Sequence, residues 1–415
     1  MRDLLVQSFQ CALKETYPAL LTKAHLPTEA PALIVAVGKA ALTMLEAART
    51  AYPGIPFIAV PKDEGKPFSR IAGGKLLPAS HPVPDQRSVQ AAEKVLEALS
   101  ELSTEQTALL LISGGGSSLL SAPWGITLEE KQILTQSLLN SGADIQDMNA
   151  VRKHVSRIKG GRLAAATKAR VLALYLSDVP GDDLATVASG PTVPDPSTFM
   201  DAIGVLDRYG LDFPKVRAHL QRGANGKLPE SPKPADRVFG RVENRLIGSN
   251  QVLLEAAKRF WEQRGYHAVV LSDRFQGEAR ELARFHAGLV QSIRANHTPF
   301  KAPVVLLSGG EAGVTVRGSG KGGRNQEFTA WLCHYLRDHG AWALAADSDG
   351  IDGNTAAAGA ILEPATWRRA QASGVNLKAH LEANDAHGFF AAMDGLLVTG
   401  PTANNLNDFR AIVVE

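Results

Sequence analysis

A run of glycines flanked by serines follows a short apolar segment. Residues 109–112 (LLLI) have the character of a buried strand, and residues 113–118 read SGGGSS. Glycines at a strand end expose backbone N–H groups, which bind anions such as phosphate or carboxylate. A tight turn without a ligand is the alternative, but it needs fewer glycines, and each glycine loses conformational entropy on folding. The predicted anion-binding residues are Ser113, Gly114, Gly115, Gly116, Ser117 and Ser118.

A lysine follows the end of an earlier predicted strand. Gly38 and Lys39 lie between the apolar residues 32–37 and an alanine-rich predicted helix over 40–52. The N-terminus of a helix favours an anion, so a cation there is unfavourable unless an anion is bound. A solvent-exposed lysine after a turn glycine is the alternative to this functional role. The segment is not a P-loop, because GxxxxGK[ST] does not occur in the sequence.

Several cations surround a predicted helix in the segment 148–167. Its apolar residues Val151, Val155 and Ile158 share one face. The polar residues that then lie largely on other faces are Arg152, Lys153, Ser156 and Lys159. We expect most of them to form a solvated basic face, with some of the charge near the following glycine pair in reach of a polyphosphate. His154 is expected to be structural rather than a ligand or a base.

A second glycine-rich segment, GSGKGGR at 318–324, leads from a predicted strand into a predicted helix. Its glycines satisfy GxGxxG, and Asp347 ends the next strand candidate, where a dinucleotide-binding enzyme has its ribose-binding acid. Together these two features would suit a nicotinamide dinucleotide. A single GxGxxG is a weak signal. Lys321 and Arg324 suit a transferring phosphoryl group better, because arginine is always charged and binds phosphate with two hydrogen bonds. The predicted nucleotide-binding residues of this loop are Gly320, Lys321 and Gly323.

Two aspartates stand at the ends of predicted strands. Asp178 follows the strand candidate 171–177 and begins a long loop, a kind of segment that is usually functional. Asp347 begins a cluster with Asp349 and Asp352 that fails the EF-hand pattern. We predict that Asp178 or Asp347 holds Mg²⁺ or accepts a hydroxyl proton. For the second cluster, a solvated turn is the alternative.

Strand and helix patterns alternate along the chain, which predicts an α/β fold with largely parallel sheets. The predicted strands are 32–37, 56–60, 108–112, 171–177, 244–249, 268–272, 302–308, 314–317 and 342–347. A chain of 415 residues exceeds the size of one core, so we expect two domains. The segment 223–239 contains three prolines and no apolar periodicity, which predicts a linker. We therefore divide the chain into 1–237 and 238–415.

Composition and charge exclude several classes of protein. A formal net charge of +2 argues against a broad nucleic-acid-binding face. No apolar run approaches the roughly 20 residues that cross a bilayer, and residues 1–17 read as an amphipathic helix rather than a signal peptide. Cys11 and Cys333 lie far apart and form no metal-binding spacing. We expect a cytoplasmic protein with no nucleic-acid or membrane partner.

Taken together, these segments resemble the glycerate 2-kinase family, whose C-terminal half is the MOFRL domain and whose members were often labelled hydroxypyruvate reductases. The resemblance covers nearly the whole chain. The motifs stand in family order: AVGKAA, SGGGSSLL, NAVRKHVSRIKGGRLA, LSDVPGDDLATVASGPTVPDPSTF, LSGGE, GKGGRNQE and DSDGIDGNT.

The resemblance implies two α/β domains with an active site in the cleft between them: a kinase domain over 1–237 and a MOFRL-like domain over 238–415. It also implies phosphorylation of D-glycerate to 2-phosphoglycerate with ATP and Mg²⁺. The family's cleft lysine matches Lys39, and the arginine of its RNQE motif matches Arg324. We expect both to be catalytic, with Asp178, and to contribute little to stability. A homodimer is compatible with this assignment.

Two other functions stay open on the sequence. An NAD(P)H-dependent hydroxypyruvate reductase would bind its cofactor at 318–323. A non-catalytic anion-binding protein fits poorly, because it would not need a cation in each half of the chain together with an acidic cluster. Phosphoryl transfer fits best, since it requires mainly positioning and charge neutralisation.

Overall fold

The computed structural model describes residues 1–65 and 72–415, which form two compact units. The N-terminal unit comprises Pro18–Ser177 and Asp182–Ile247, and the C-terminal unit comprises Met1–Tyr17, Asp178–Gly181 and Gly248–Glu415. These bounds differ from the division at residue 237 that the sequence suggests. None of the helices in the described ranges is both long enough and apolar enough to cross a membrane.

Strands and helices alternate through most of the chain. The strands are β1 (Leu33–Val37), β2 (Phe57–Val60), β3 (Gly74–Leu76), β4 (Thr107–Ile112), β5 (Arg170–Leu176), β6 (Val242–Gly248), β7 (His267–Glu278), β8 (Val304–Gly313), β9 (Trp342–Asp347), β10 (Gly359–Leu362), β11 (Leu396–Leu397) and β12 (Asp408–Val414). The helices are α1 (Arg2–Glu15), α2 (Pro18–His25), α3 (Ala41–Ala51), α4 (Gln86–Ser100), α5 (Gly116–Leu119), α6 (Leu128–Asn140), α7 (Ile145–His154), α8 (Arg162–Ala165), α9 (Phe199–Arg208), α10 (Pro214–Ala224), α11 (Asn250–Glu262), α12 (Ala279–Asn296), α13 (Arg324–Leu336), α14 (Thr366–Ala372), α15 (Leu377–Glu382) and α16 (Ala386–Ala392). Short 3₁₀ turns cover Val187–Ser189, Arg237–Arg241 and Arg337–His339.

The sheet of the N-terminal unit has the strand order β3-β2-β1-β4-β5-β6. Its pairings β3–β2, β2–β1, β1–β4 and β4–β5 are all parallel. The five residues of β1 are all buried, as expected for a parallel strand covered on both faces. The predicted α/β class and the parallel sheet are confirmed here.

The sheet of the C-terminal unit is mixed, so the expectation of a largely parallel sheet is wrong for this half. Its order is β11-β10-β9-β12-β8-β7, and only β7–β8 is parallel, whereas β8–β12, β12–β9, β9–β10 and β10–β11 are antiparallel. The connection from β9 to β10 contains no helix, which allows the chain to turn back. The last strand, β12, inserts between β8 and β9 and separates two strands that sequence order would have paired.

The predicted strand 314–317 is also wrong, because this segment is a loop held by side chains. Thr315 N–H and Oγ1 donate to the Glu278 carboxylate, and Arg317 N–H donates to Asn384 Oδ1 at 2.7 Å. Side chains therefore take the hydrogen bonds that a neighbouring strand would otherwise supply.

Helix α1 folds with a different unit from the one expected, and the predicted linker is part of a unit rather than a connection between units. Helix α1 buries Leu5, Phe9 and Ala12 in the core of the C-terminal unit, where the Phe9 ring lies 5.1 Å from that of Phe409. The predicted linker 223–239 instead belongs to the N-terminal unit, where Glu230 Oε1 accepts a hydrogen bond from Phe199 N–H at 2.9 Å. The chain passes between the units at the end of β6, since its apolar residue Ile247 is in the core.

Candidate active site

The glycine loop and Lys39 lie together at one edge of the N-terminal sheet. Strands β1 and β4 pair in parallel, with Val37 opposite Ile112, so the segments that follow them leave the sheet side by side. Lys39 N–H donates to the Gly114 carbonyl at 2.9 Å, and Ala40 N–H donates to Ser113 Oγ at 3.0 Å. The structure thus joins two predicted anion-binding segments into one site.

Two backbone N–H groups of this loop are available for an anion. In the described part of the N-terminal unit, the N–H groups of Gly114 and Gly115 have no acceptor. Gly115 has a φ of 81°, and a Cβ atom there would lie 2.9 Å from the ring of His81 and 3.4 Å from Lys39 Cγ. Glycine is required at this position for both reasons. The loop therefore has the geometry of a phosphate or carboxylate cradle with Lys39 at its rim.

His81 borders the cradle and was not found by sequence reasoning. Burial, followed by the nearby charges of Lys39 and Lys62, lowers the pKa of His81 to about 4. Its ring is therefore neutral at pH 7. The positive surroundings of His81 are favourable for a bound anion. A single histidine in a loop carries no sequence signal that would have revealed this position.

The cations of segment 148–167 are not the solvated face that the sequence suggests. Lys153, Ser156 and Lys159 are buried and Arg152 is half-buried. Helix α7 ends at His154, after which the chain turns back into the unit, so helical periodicity fails to predict which side chains face solvent. The structural role expected for His154 is confirmed, because its Nδ1 lies 2.7 Å from the Ala150 carbonyl and its Nε2 lies 3.1 Å from Glu230.

Arg324 is the first residue of α13 and is surrounded by carboxylates. Its Nε donates to Asp408 at 2.6 Å, its second amino group to Asp347 at 2.8 Å, and its first to Glu311 at 3.1 Å. Burial lowers the pKa of Arg324, but the carboxylates of Asp408, Asp347 and Glu311 outweigh burial and raise it above its ordinary value. The guanidinium is therefore charged and fixed in orientation, while 23% of the side chain stays exposed.

Asp408 holds this arrangement together and was missed in the sequence. It is fully buried at the start of β12, where its Oδ1 also accepts from Asn325 Nδ2 at 2.8 Å and its Oδ2 accepts from Ala312 N–H at 2.9 Å. The buried Arg410 binds the same Oδ2. The apolar run AIVV at 411–414 is a sequence signal for this strand.

The second glycine loop does not offer the cradle that the sequence predicts. The N–H groups of Gly318, Gly320, Lys321 and Gly322 donate to Asn384 Oδ1, the Ala383 carbonyl, Asp385 Oδ1 and Asn354 Oδ1, at 2.9 to 3.2 Å. A Cβ at Gly320 would lie 2.5 Å from Asp385, and one at Gly323 would lie 2.3 Å from Asp352. These glycines allow close packing. They still line, with Arg324 and Asp347, a cavity of about 360 Å³.

Comparisons with known proteins identify the family of this chain. A domain of unknown function (DUF4147) matches residues 4–221, and the MOFRL family matches residues 304–408. A Pyrococcus horikoshii protein named glycerate 2-kinase is 38% identical over 387 residues, which cover 92% of this chain and 87% of its own length. This chain belongs to the glycerate 2-kinase family. The predicted family is confirmed, as is the prediction that the chain is a kinase.

Two further relatives extend the comparison with the glycerate 2-kinase family. The crystal structure of a Thermotoga maritima protein named glycerate kinase matches with a TM-score of 0.92 and 37% identity, covering 100% of this chain and 99% of its own. An Agrobacterium vitis protein whose provisional name is hydroxypyruvate reductase is 42% identical over 425 residues, covering 100% of this chain and 94% of its own. Both labels that the sequence analysis expected for the family therefore occur among its relatives.

Asp178 and Asp347, which are predicted to hold Mg²⁺, both belong to the C-terminal unit of this glycerate 2-kinase family member. Asp178 Oδ2 accepts from Asn405 Nδ2 at 2.8 Å, and the Asp178 carbonyl accepts from Asn407 Nδ2 at 2.6 Å. Asp347 shares its Oδ2 with Arg324. Burial raises the pKa of Asp347, and Arg324 acts in the opposite direction.

The donor chemistry of these carboxylates fits magnesium, which prefers oxygen ligands. Within residues 1–65 and 72–415, no group of three His, Cys, Asp or Glu side chains is arranged to hold a metal ion. A magnesium ion at Asp178 or Asp347 would therefore need nucleotide phosphate and water oxygens to complete its ligand shell, as is usual for this ion.

Proposed function

We propose that this protein catalyses phosphoryl transfer from ATP to D-glycerate, in a Mg²⁺-dependent reaction that gives 2-phosphoglycerate. The observation that carries the proposal is the cradle of Gly114 and Gly115 N–H groups beside Lys39, in a chain of the glycerate 2-kinase family. Phosphoryl transfer requires positioned phosphates and neutralised charge rather than covalent chemistry by the protein. A cradle of N–H groups with a lysine at its rim supplies both.

The residues divide into distinct roles. The loop 113–118 binds the nucleotide phosphates through backbone N–H groups and Ser117, while Lys39 neutralises the charge of the transferred group. Arg324 stabilises a phosphoryl group or the glycerate carboxylate by two parallel hydrogen bonds. Gly320 and Gly323 line the cavity beside Arg324, and Lys321 contributes its positive charge. The backbone N–H groups of Gly320 and Lys321 already bind protein acceptors.

Magnesium would be held by Asp178, with Asp347 beside Arg324 as the second carboxylate. The ion would supply positive charge that neutralises the charge developing on the phosphate. Asn405 orients the Asp178 carboxylate through a hydrogen bond of 2.8 Å.

The decisive experiment mixes the purified protein with ATP, D-glycerate and Mg²⁺ and follows ADP release, with the product identified by phosphorus NMR. We expect ADP release that depends on both glycerate and Mg²⁺, and a product phosphorylated at the 2-hydroxyl. ADP release at the same rate without glycerate, or 3-phosphoglycerate as the product, would contradict the proposal. A second reaction with hydroxypyruvate and NADH or NADPH should show no loss of absorbance; rapid oxidation of the cofactor would identify a reductase instead.

A further inference from the structure

Three cationic side chains lie behind Ser117 in the N-terminal unit: Lys131, Arg152 and Lys159. Lys159 is 1% exposed, and its Nζ donates to Ser117 Oγ at 2.8 Å and to the Ser117 carbonyl at 2.9 Å. Arg152 donates to the same Ser117 Oγ. Lys131 is 3% exposed and donates to the hydroxyl of Ser121.

These cations have no acidic partner among the described residues of their unit. In the described part of the N-terminal unit, none of the three takes part in an ion pair, and Nε of Arg152 is buried with no hydrogen-bond partner. Lys153, on the same segment, shows the ordinary arrangement, because its Nζ lies 3.4 Å from the buried Asp195. Burial, and then the charges of its two neighbours, lower the pKa of Lys159, and burial with Arg152 lowers that of Lys131 to about 7.

Buried cations without an anion cost stability, so an anion brought near these three would favour their charged forms and would itself be bound. Lys159 and Arg152 both contact the hydroxyl of Ser117, whereas Lys131 contacts that of Ser121. Both lone pairs of Ser117 Oγ accept from Lys159 and Arg152, so this oxygen is left with its proton as a donor. Ser117 is half-exposed, and its Oγ lies 3.0 Å from Ser189 Oγ, which is the acceptor of that proton until a ligand arrives.

We propose that Ser117 is the contact point of a phosphate-dianion site and that Lys159, Arg152 and Lys131 supply its positive charge from behind. A dianion is favoured over a carboxylate because the cluster contains more than one uncompensated charge and because phosphate offers several acceptor oxygens. The same two lone-pair contacts exclude Ser117 as a nucleophile. The inference rests on the proposed function for the source of the phosphate, which is the nucleotide held by the loop.

The test measures binding of inorganic phosphate to the full-length protein by thermal-shift titration, with D-glycerate and ADP as parallel ligands. We expect Lys159→Met to weaken phosphate and ADP binding at least about tenfold. The substitution removes the charged hydrogen bond from Lys159 to Ser117, the residue that contacts the ligand. Binding of D-glycerate should change less. The matched control is Lys153→Met, which removes an equally buried lysine that is paired with Asp195 and should leave phosphate affinity unchanged.

The melting temperature distinguishes the two lysine variants further. Lys153→Met leaves Asp195 buried without its cation and should lower the melting temperature more than Lys159→Met, which relieves repulsion among three cations. If Lys159→Met does not fold, Ser117→Ala removes the donor from a half-exposed position and should weaken phosphate binding in the same sense.

Unchanged phosphate affinity in Lys159→Met and Ser117→Ala would overturn the inference. A loss of affinity confined to D-glycerate would also overturn it, because the cluster would then belong to the substrate carboxylate. The proposed function is tested separately, by ADP release with glycerate. A protein that binds phosphate at this cluster but shows no kinase activity would refute that function alone.

Discussion

Arg324 and Asp408 form a hydrogen bond of 2.6 Å between Nε and Oδ1, and the second oxygen of the same buried carboxylate is bound by Arg410. One fully buried aspartate thus lies between two arginines, one partly exposed at the candidate site and one at 0% exposure. Asp408 and Arg410 belong to β12, so the last strand of the chain orients a side chain at the start of α13.

Arg324 should therefore matter for both rate and stability. We expect Arg324→Ala to lower kcat by about a hundredfold or more, the range associated with lost electrostatic stabilisation. The same change should destabilise the protein by about 3 kcal/mol, because it leaves Asp347 and Asp408 buried with less positive charge. This second effect differs from the expectation, made on the sequence, that Arg324 contributes little to stability. Steady-state kinetics and urea unfolding measure the two effects.

Arg324→Lys provides the matched variant. A lysine keeps the charge but cannot reproduce three directed hydrogen bonds to Glu311, Asp347 and Asp408. It should recover part of the stability and little of kcat. Full recovery of kcat by the lysine would show that the geometry of the guanidinium is unimportant.

Lys39 should affect the rate alone. Its side chain is exposed at the rim of the cradle, so Lys39→Ala should lower kcat by about a hundredfold. The melting temperature should hardly change. If Lys39 and Arg324 act on the same phosphoryl group, the double variant should fall well short of the product of the two single losses. A variant that changes only KM would contradict this role.

Gly115 should tolerate no side chain without losing the phosphate site. Gly115→Val places a Cβ 2.9 Å from the His81 ring, beside the N–H groups of the cradle. We expect loss of phosphate and nucleotide binding, measured by calorimetric titration. Gly142→Val is the control, because Gly142 has a similar φ of 74° but open space around its Cβ position. Both variants bear the same backbone strain, so equal binding losses would mean that strain alone is responsible.

His286 should make stability depend on pH. It is fully buried, its Nδ1 lies 2.7 Å from the Leu282 carbonyl and its Nε2 lies 2.9 Å from Ser308 Oγ, and burial lowers its pKa to about 4. The unfolded chain, with an ordinary histidine pKa of about 6.5, binds the proton first as pH falls. The contribution of His286 to the free energy of unfolding is therefore largest above pH 6.5. About 3 kcal/mol of it is lost as the pH falls from 6.5 to 4.

Urea unfolding of the wild type and of His286→Gln at several pH values tests this linkage. Glutamine can still bond Ser308 but does not titrate, so the stability difference between the two proteins should shrink as pH falls from 7 to 4. A difference that stays constant across this range would show that His286 does not titrate as proposed. The comparison cancels the contribution of His81, which titrates in the same window in both proteins.

The sequence by itself determined the features that depend on neighbours along the chain. The apolar runs that became β1 and β4, the glycines after β4 and the lysine after β1 are local patterns, and parallel pairing then places both strand ends at one edge. The sequence therefore predicts each of the two anion-binding segments by itself, and the pairing of β1 with β4 brings Lys39 beside the loop 113–118. The family motifs extended this prediction to the function.

Only the tertiary structure decided which polar groups are buried and which are already satisfied. The partners of Arg324 come from β8, β9 and β12, and the acceptors that occupy the N–H groups of loop 318–323 lie up to 66 residues away. For Arg152 and Lys159 the helical spacing predicts a solvated face, because it gives the direction of a side chain but not what packs against it. Burial and hydrogen-bond satisfaction depend on segments distant in sequence, and local periodicity carries no information about them.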